Sequence, residues 1–405
     1  MAQVIHSCPF GRGIEESKRL IMTNSNRPSN YKRTARILTV ACGLLFFAFS
    51  FVYLYLFQCD VLEALHFTLS DGKTQYEPFW CALVLSVVLL LLQWGICALL
   101  GLKGVIRALS YFPSFLLLGV MTDVEYSVYH SGINQNWTWL FPISLIAFVC
   151  GVFFLRRLFR CWIDVEVESG ILVLSNLMLL LLFAFLAVGI GNTNIHFHHE
   201  LAVETALRKN QYDQVRKIGA KVIDPSRSLT ALRNYALSKE GKMGEYLFQY
   251  PQRYGAEGLL LDASEKNILR LTADSLYTYL GAQPQLGERA LPFFRRLCNE
   301  DTDNHTTLEY YLSALLLEKQ LTEFVEAYRT LYDAEPHSMP QHYREALFLY
   351  EKMHPSVEPT VTDEAMLQQW ASYDSLKQEL RGKPGEGNFM RRKFGHTYWW
   401  YFEYF

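Results

Sequence analysis

The stretch ILVLSNLMLLLLFAFLAVGIGNTNIHFHHELAVETALRKN, residues 171–210, joins two kinds of sequence. Residues 171–190 carry no charge and are almost entirely apolar, whereas residues 194–210 have the pattern of a water-soluble amphipathic helix. A helix needs roughly 20 apolar residues to cross the hydrocarbon core of a bilayer. We therefore expect the chain to leave a membrane near residue 191 and to continue as a soluble helical domain.

Four more charge-free apolar stretches precede this one, and each predicts a transmembrane helix. The third is the shortest, with 15 residues, and we expect the flanking Arg107 to extend its side chain to the membrane surface. The predicted spans are Ile37–Cys59, Pro78–Leu102, Ala108–Thr122, Trp137–Leu155 and Ile171–Ile190.

Lys and Arg are concentrated in alternate loops between these spans. The N-terminal tail and the second and fourth loops hold 12 of them, while the first and third loops hold only Lys73. Cytoplasmic loops carry the excess of Lys and Arg, so the N-terminus is predicted to be cytoplasmic. After five spans, the chain from residue 191 lies on the outer side. If the third span did not cross, the Arg156–Arg160 cluster would lie outside too, so the charge pattern favours crossing.

The N-terminal segment, residues 1–35, is a basic tail that we expect to be disordered. No small-residue cleavage site follows the first span, so this span is predicted to be a retained anchor and not a signal peptide. Either Met1 or Met22 fits as the start of the chain, because Met22 opens a compact basic segment.

The segment after residue 191 reads as a series of paired helices with almost no strand-like alternation. Residues 306–336 resemble a tetratricopeptide repeat, which has about 34 residues, two antiparallel helices and a terminal proline. Large side chains, Leu312 and Phe324, stand where that pattern has small ones. The residues at its packing positions are Leu308, Tyr311, Leu312, Leu315, Phe324, Tyr328, Leu331 and Pro336.

The predicted fold class is therefore all-α: a five-helix transmembrane bundle followed by a TPR-like helical-repeat soluble domain. The predicted domains are the tail at 1–35, the membrane domain at 36–191, the soluble domain at 192–381, and a flexible linker with an aromatic segment at 382–405. The linker contains GKPGEG, residues 382–387, which lacks the Lys-Ser/Thr of a phosphate-binding loop.

The last twelve residues, FGHTYWWYFEYF, contain eight aromatic side chains. A segment of this composition does not stay in water as a free tail, and we expect it to pack into the soluble domain. The alternative is a return to the membrane interface, where Trp and Tyr are favoured, with the basic residues 391–393 near lipid phosphates.

Three residues at the start of the soluble segment form a candidate metal site. His196, His199 and Glu200 have the helical spacing i, i+3, i+4, and imidazole and carboxylate groups suit a divalent transition metal. The alternative is structural: Asn194 caps a helix that begins at the membrane surface. An enzymatic site would combine these residues with polar residues of two outer loops. The candidates are Asp60, Glu63 and His66 in the first of these loops and Asp123, Glu125 and His130 in the second.

Other function classes are disfavoured by composition. The net charge is −2, which gives no reason to expect nucleic acid as a partner. Of eight cysteines, only Cys298 follows residue 191, and no CxxC pair is present, so cysteine metal sites are not expected. No organic cofactor is predicted, and a divalent metal enters only with the histidine hypothesis.

Three segments resemble an uncharacterised multi-pass membrane protein family of Bacteroidota: Asn194–Leu201, Leu229–Gln252 and Thr397–Tyr401. The resemblance implies a location, because the outer side of a Gram-negative inner membrane is the periplasm, but it implies no activity.

Two functions follow as hypotheses. The first is a scaffold or accessory subunit of the inner membrane whose periplasmic repeat domain binds a protein or peptide. The second is an envelope enzyme or transporter component with a His/carboxylate site at the periplasmic membrane surface. The sequence favours a role without catalysis.

Overall fold

The computed structural model describes residues 27–124, 134–158, 169–261, 271, 273–301, 304–331, 339–355 and 364–405. The chain divides into two compact units, one ending at Thr193 and one beginning at Asn194. Every regular element among the described residues is helical, so the predicted all-α class is confirmed.

The described residues of the first unit include five helices that are long and apolar enough to cross a membrane. They lie close to the predicted spans. In chain order the elements are α1 (Arg27–Val52) with a π-helical turn (Tyr53–Phe57), α2 (Cys59–Ser70), α3 (Pro78–Leu100), a 3₁₀ segment (Gly104–Tyr111) that leads into α4 (Phe112–Thr122), α5 (Trp137–Leu158) and α6 (Ser169–Ile190).

The third span is longer than its charge-free run predicts. It begins at Gly104 with eight residues of 3₁₀-helix and continues through the eleven residues of α4. A 3₁₀-helix rises about 2.0 Å per residue and an α-helix about 1.5 Å, so the span reaches roughly 30 Å, the thickness of a hydrocarbon core. The predicted start at Ala108 was too late, because Arg107 belongs to the helical span and does not precede it.

One side chain of α6 holds the 3₁₀ segment in place. Asn176 accepts a hydrogen bond from the Ala108 amide at 2.8 Å and donates from Nδ2 to the Gly104 carbonyl at 3.1 Å. Asn176 is buried. In a bilayer no water is available to pair backbone groups, so a buried amide side chain is well suited to support irregular helix geometry there.

The third span lies at the centre of the first unit. Of its apolar stretch 56% is buried, against 6% for that of the fourth span. Gln93 of α3 donates to Ser110 Oγ at 2.8 Å, and Ser114 donates to the Leu89 carbonyl at 2.8 Å. Small and hydrogen-bonded residues let membrane helices approach closely, so this span organises the bundle.

A hydrogen-bond network joins the ends of the first, third and fifth spans. Tyr53 and Thr122 share a hydrogen bond of 3.3 Å between their hydroxyls. Gln58 Nε2 donates to the Asn192 carbonyl at 2.9 Å, and the Asn192 amide donates to the Thr122 carbonyl at 2.8 Å. Glycine is the residue that fits at position 191, because a Cβ there would lie 2.3 Å from the Tyr53 hydroxyl.

Part of the predicted first outer loop, residues 60–77, is a helix, which corrects the sequence-based expectation. Five consecutive residues of α2 are buried, and Glu63 is the one charged residue among them; the other four are Val61, Leu62, Ala64 and Leu65. Asp60 and Glu63 interrupt the apolar run, which explains why a search for charge-free stretches overlooks this helix.

The second unit consists of short helices joined by tight turns. In chain order they are α7 (Ile195–Arg208), α8 (Tyr212–Lys217), α9 (Arg227–Lys239), α10 (Met243–Tyr246), 3₁₀ turns (Leu247–Gln249 and Gly255–Leu259), α11 (Ala273–Leu280), α12 (Ala290–Glu300), α13 (His305–Leu317), α14 (Leu321–Leu331), α15 (Gln341–Met353), α16 (Glu364–Leu380), α17 (Glu386–Phe394) and α18 (Tyr398–Tyr404).

The pair α13 and α14 occupies the region that resembles a tetratricopeptide repeat. Three residues separate the two helices, and Lys319 adopts a left-handed conformation with φ of 57°, as a short helix–helix connection requires. Six of the predicted packing positions are buried: Leu308, Tyr311, Leu312, Leu315, Phe324 and Tyr328. Leu331 is partly buried, and Pro336 lies outside the described residues.

We predict that Gly191→Ala destabilises the first unit. The added methyl group would overlap the Tyr53 hydroxyl and lie 2.5 Å from Thr122 Oγ1, and such overpacking costs about 1–3 kcal/mol. Thermal unfolding of the full chain in detergent should show a lower midpoint than for the native chain. Gly189→Ala is the matched control, because nothing lies within 4 Å of its Cβ position. Equal midpoints for the two variants would contradict the prediction.

Candidate functional site

The aromatic C-terminus packs into the core of the second unit. Tyr398, Trp399, Trp400 and Tyr401 are each at most 8% exposed and join the same cluster as the core of α13 and α15. Burial of a large apolar side chain contributes roughly 1.5–3 kcal/mol. The alternative in which this segment returns to the membrane interface does not fit these contacts.

A buried carboxylate on α15 fixes the start of α18. Glu345 has no exposed surface. Its Oε2 accepts a hydrogen bond from the Tyr398 amide at 2.7 Å, and its Oε1 accepts one from Gln341 Nε2 at 2.7 Å. The Glu345 carbonyl accepts a bond from Trp399 Nε1 at 2.9 Å. Backbone amides at the first turn of a helix lack intrahelical partners, and here a carboxylate supplies one.

His342 ties the same carboxylate to the segment that follows α10. The Phe248 amide lies 3.3 Å from His342 Nε2, and an amide can only donate, so Nε2 is the acceptor. The ring proton is therefore on Nδ1, which donates to Glu345 Oε2 at 2.9 Å. The Phe248 ring packs against Tyr401, with centroids 4.7 Å apart. These contacts hold the segment around Phe248 against α15 and α18, although the three lie far apart in the sequence.

The predicted linker at 382–387 is shorter in the structure. α16 ends at Leu380 and α17 begins at Glu386, so the connection is residues 381–385. Glu386 accepts from the Gly382 amide at 3.0 Å and from the Tyr404 hydroxyl at 2.7 Å. Gly385 has φ of 82°, which favours glycine. These bonds join the turn to α18.

A cavity of about 240 Å³ lies beside the C-terminal helices; we call it the terminal cavity. One wall is formed by two separate segments, residues 220–223 and 248–252. The other wall comes from α17, α18 and the turn between them. The side chains and backbone on this second wall belong to Arg391, Gly395, His396, Trp400, Tyr401 and Phe405.

The terminal cavity has a basic and aromatic lining. Among the described residues around it, Lys221, Arg391 and His396 contribute basic side chains and none has an acidic side chain. The guanidinium of Arg391 lies 5.7 Å from the centre of the Trp400 ring, within the range of a cation–π contact. This chemistry suits a ligand that combines an anionic group with an apolar one.

Another cation, Arg233, lies behind the cavity wall. Arg233 is 2% exposed, and its guanidinium lies 4.9 Å from the ring centre of Tyr250, a lining residue. Its Nη2 donates to the Ile218 carbonyl at 2.6 Å, whereas Nε and Nη1 have no hydrogen-bond partner among the described residues. Burial lowers the pKa of Arg233 to about 10, so it stays charged at neutral pH and adds to the positive field of the cavity.

The capping role predicted for Asn194 is confirmed, since its side chain accepts from the His196 amide at 3.1 Å. The predicted metal ligands nearby face different neighbours. Glu200 accepts a hydrogen bond from Ser226. His199 Nδ1 lies 3.0 Å from the point where a Gly219 Cβ would stand. These contacts of Glu200 and His199 are with protein groups and hold the start of α7 to the turns that follow it.

The other predicted site residues lie in the first unit or outside the described residues. Asp123 accepts a hydrogen bond from Trp137 Nε1, while Glu125 and His130 fall in a segment that is not described. Within the described parts of the chain, no group of three or more His, Cys, Asp or Glu side chains is arranged to hold a metal ion. The enzyme hypothesis therefore stays a prediction.

One carboxyl group outside the cavity titrates near neutral pH. Glu309 of α13 is 5% exposed, and burial raises its pKa to about 7, although hydrogen bonds from the Met243 and Gly244 amides act in the opposite direction. The bond from the Met243 amide is 2.8 Å long. The Glu309 carboxyl group accepts hydrogen bonds from backbone amides of α10, so its role is to hold α10 against α13.

Most of the residues of this site cannot be identified from the sequence. The QHYRE segment, residues 341–345, places His342 and Glu345 at the helical spacing i, i+3, which is a signal for a shared helix face. The spacing does not reveal the partner, because Tyr398 lies 53 positions away. Lys221 carries no signal at all, and Arg391 was considered only as a lipid contact.

Comparison with protein families identifies one match. The model of a family described as a family of unknown function (DUF6057) matches the chain over residues 27–285 and again over 285–405. No curated protein and no solved structure matches the chain.

We predict that Glu345→Gln destabilises the second unit by about 1–3 kcal/mol. In glutamine an NH₂ group replaces one carboxylate oxygen and cannot accept a hydrogen bond, so at least one buried donor loses its partner. Chemical denaturation of the full chain, followed by Trp fluorescence, measures the loss. Glu379→Gln on the exposed surface of α16 is the control for the charge change. A Glu345→Gln chain as stable as the control would show that the carboxylate does not fix α18.

We also predict a pH dependence that originates from Glu309. In the unfolded chain this group titrates near 4.5, and in the folded chain near 7. The folded state binds the proton more tightly, so the stabilisation is complete below pH 4.5 and is lost as the pH rises to 7, a change of about 3 kcal/mol. The difference in unfolding free energy between the native chain and Glu309→Gln should therefore vary over this window. A constant difference would contradict the prediction, and Glu326→Gln, which alters an exposed residue, is the control.

Proposed function

We propose, from the premise that this chain belongs to the DUF6057 family of unknown function, that it is a membrane-anchored binding protein. Its second unit would take an acidic segment of a protein or peptide into the terminal cavity. The proposed arrangement is that of an inner-membrane protein with a cytoplasmic N-terminus and a periplasmic, TPR-like binding domain.

The lining of the terminal cavity is the observation that carries this proposal. Lys221, Arg391 and His396 supply donors for a carboxylate, and Trp400 with Phe405 supplies apolar surface next to them. Arg is well suited to a carboxylate because its planar guanidinium offers two parallel donors. A peptide with an acidic residue beside an apolar one would satisfy both parts of the lining.

Preorganisation supports binding over a role in packing alone. The cavity wall formed by α17 and α18 is fixed at one end by Glu345 and at the other by the bond between Tyr404 and Glu386. A rigid wall loses little conformational entropy when a ligand binds. The resemblance of residues 306–336 to a tetratricopeptide repeat fits the same proposal, because proteins built from such repeats present extended binding surfaces.

Location follows from the loop charges and not from the cavity. The bias of 12 Lys and Arg against one in alternate loops indicates that the second unit follows an odd number of crossings and faces outward. The periplasm is the outer compartment that the resemblance to a Bacteroidota family implies. Five helices of sufficient length and hydropathy support the membrane anchor.

We predict that charge reversal in the cavity abolishes peptide selection. The full chain in nanodiscs should select, from a random peptide library, sequences in which Asp or Glu adjoins an apolar residue. Arg391→Glu should weaken the affinity for a selected peptide at least ten-fold, about 1.4 kcal/mol, as measured by fluorescence anisotropy. Arg392→Glu makes the same charge change one residue away, outside the lining, and should alter affinity little. Equal losses in both variants, or no acidic preference, would refute the proposal.

Topology is tested separately with fusions. A reporter that is active only in the periplasm should be active after Phe405 and silent after Arg160. The reverse pattern would place the binding unit in the cytoplasm, so that any partner would be cytoplasmic.

A further inference from the structure

A second cavity lies within the first unit, between α2 and the start of α3; we call it the lateral groove. Its volume is about 420 Å³ and its lining is almost wholly apolar. α2 contributes one side and the first turns of α3 the other, with Met121 from the end of the third span. The residues that line it are Leu62, Leu65, His66, Leu69, Tyr76, Trp80, Cys81, Val84, Leu85 and Met121.

Because the lateral groove lies at the first turns of the candidate span that begins at Pro78, membrane insertion of this span would place it where lipid head groups meet acyl chains. α3 begins at Pro78, and its deepest lining residue, Leu85, is seven residues further along. At 1.5 Å per residue the groove extends roughly 10 Å along the span. Trp80 and Val84 are 63% and 56% exposed, so this side faces the surrounding bilayer. An apolar groove open to lipid at this depth matches an acyl chain.

Polar side chains lie at the end of the groove that Tyr76 lines. The Tyr76 hydroxyl is buried and has no hydrogen-bond partner in the described part of the chain. Burial, followed by nearby Cys59, Cys81, Glu63 and Asp60, raises the pKa of Tyr76, so the hydroxyl keeps its proton and can donate. His66 Nε2 lies 3.1 Å from Thr74 Oγ1, and the His66 and Tyr76 rings are 5.6 Å apart. These groups form an orienting end for a polar head.

The surroundings of this end are acidic. Glu77, which lies between Tyr76 and α3, is exposed, and Asp60 and Glu63 of α2 lie close enough to Tyr76 to act on it electrostatically. Lys73 of the same loop lies 3.7 Å from Asp71, so its charge is compensated. An anionic head group would meet repulsion here, whereas an ammonium group would be attracted.

We infer that the lateral groove binds one acyl chain of a bilayer phospholipid whose head group carries an amine. The chain would lie along Leu65, Val84 and Leu85, the Tyr76 hydroxyl would donate to an ester or phosphate oxygen, and the ammonium would face the exposed carboxylate of Glu77. The inference rests on membrane insertion of the first unit and does not depend on ligand binding by the second.

Photo-crosslinking in nanodiscs tests the inference on the full chain. Phosphatidylethanolamine with a diazirine in its acyl chain should label the peptides that contain Leu65 and Val84, at least three-fold more than phosphatidylglycerol with the same chain. Val84→Trp fills the groove and should reduce this labelling at least five-fold. Leu91→Trp is the matched control, because Leu91 is also exposed on α3 but lies two turns deeper, outside the lining.

The outcomes separate a built site from ordinary lipid contact. Equal labelling by the two lipids, or equal labelling in Val84→Trp and Leu91→Trp, means surrounding lipid only and overturns the inference. Tyr76→Phe provides an independent readout: it should lower the labelling by phosphatidylethanolamine without changing the thermal midpoint by more than the Leu91→Trp control. Unchanged labelling in Tyr76→Phe would remove the proposed role of the hydroxyl. The peptide-selection experiment is unaffected by any of these results.

Discussion

The hydrogen bonds of the Glu345 carboxylate determine how the second unit closes. A buried carboxylate is costly unless donors surround it, and here the Tyr398 amide, Gln341 and His342 supply them. Because one of these donors is the first amide of the last helix, the requirement to satisfy the charge also fixes the position of that helix. The aromatic residues that follow then pack against α13 and α15, and Trp400, Tyr401 and Phe405 also line the terminal cavity.

The need to pair buried polar groups also determines the structure of the first unit. In a bilayer every backbone group has to be paired within the protein. Asn176 meets this requirement for the irregular start of the third span, and Gln58 and Asn192 meet it at the outer ends. Gln58 directly precedes α2, which forms one side of the lateral groove. In both units a buried polar side chain fixes the helix whose surface then offers a cavity.

The sequence predicts the membrane spans well because their signal is local. A run without charge is sufficient to identify each span, and its ends lie within about four residues of the helix bounds. The third span starts earlier than predicted because a charged residue, Arg107, belongs to it. α2 was taken for a loop because Asp60 and Glu63 interrupt its apolar face. The terminal cavity could not be predicted, since Lys221, Tyr250 and Arg391 come together only through contacts between distant segments. The His196 and His199 pattern attracts attention in the sequence, but the structure surrounds these residues with helix-capping and turn contacts.

Hydrogen exchange of the full chain tests most directly whether Glu345 builds the cavity wall. The amides of Tyr398–Tyr401 should exchange as slowly as those of α13 in the native chain. In Glu345→Gln they should exchange faster, together with the cavity residues Arg391–His396, while α13 itself is changed less. Rapid exchange of the terminal amides in the native chain, or exchange that the substitution leaves unchanged, would contradict the account.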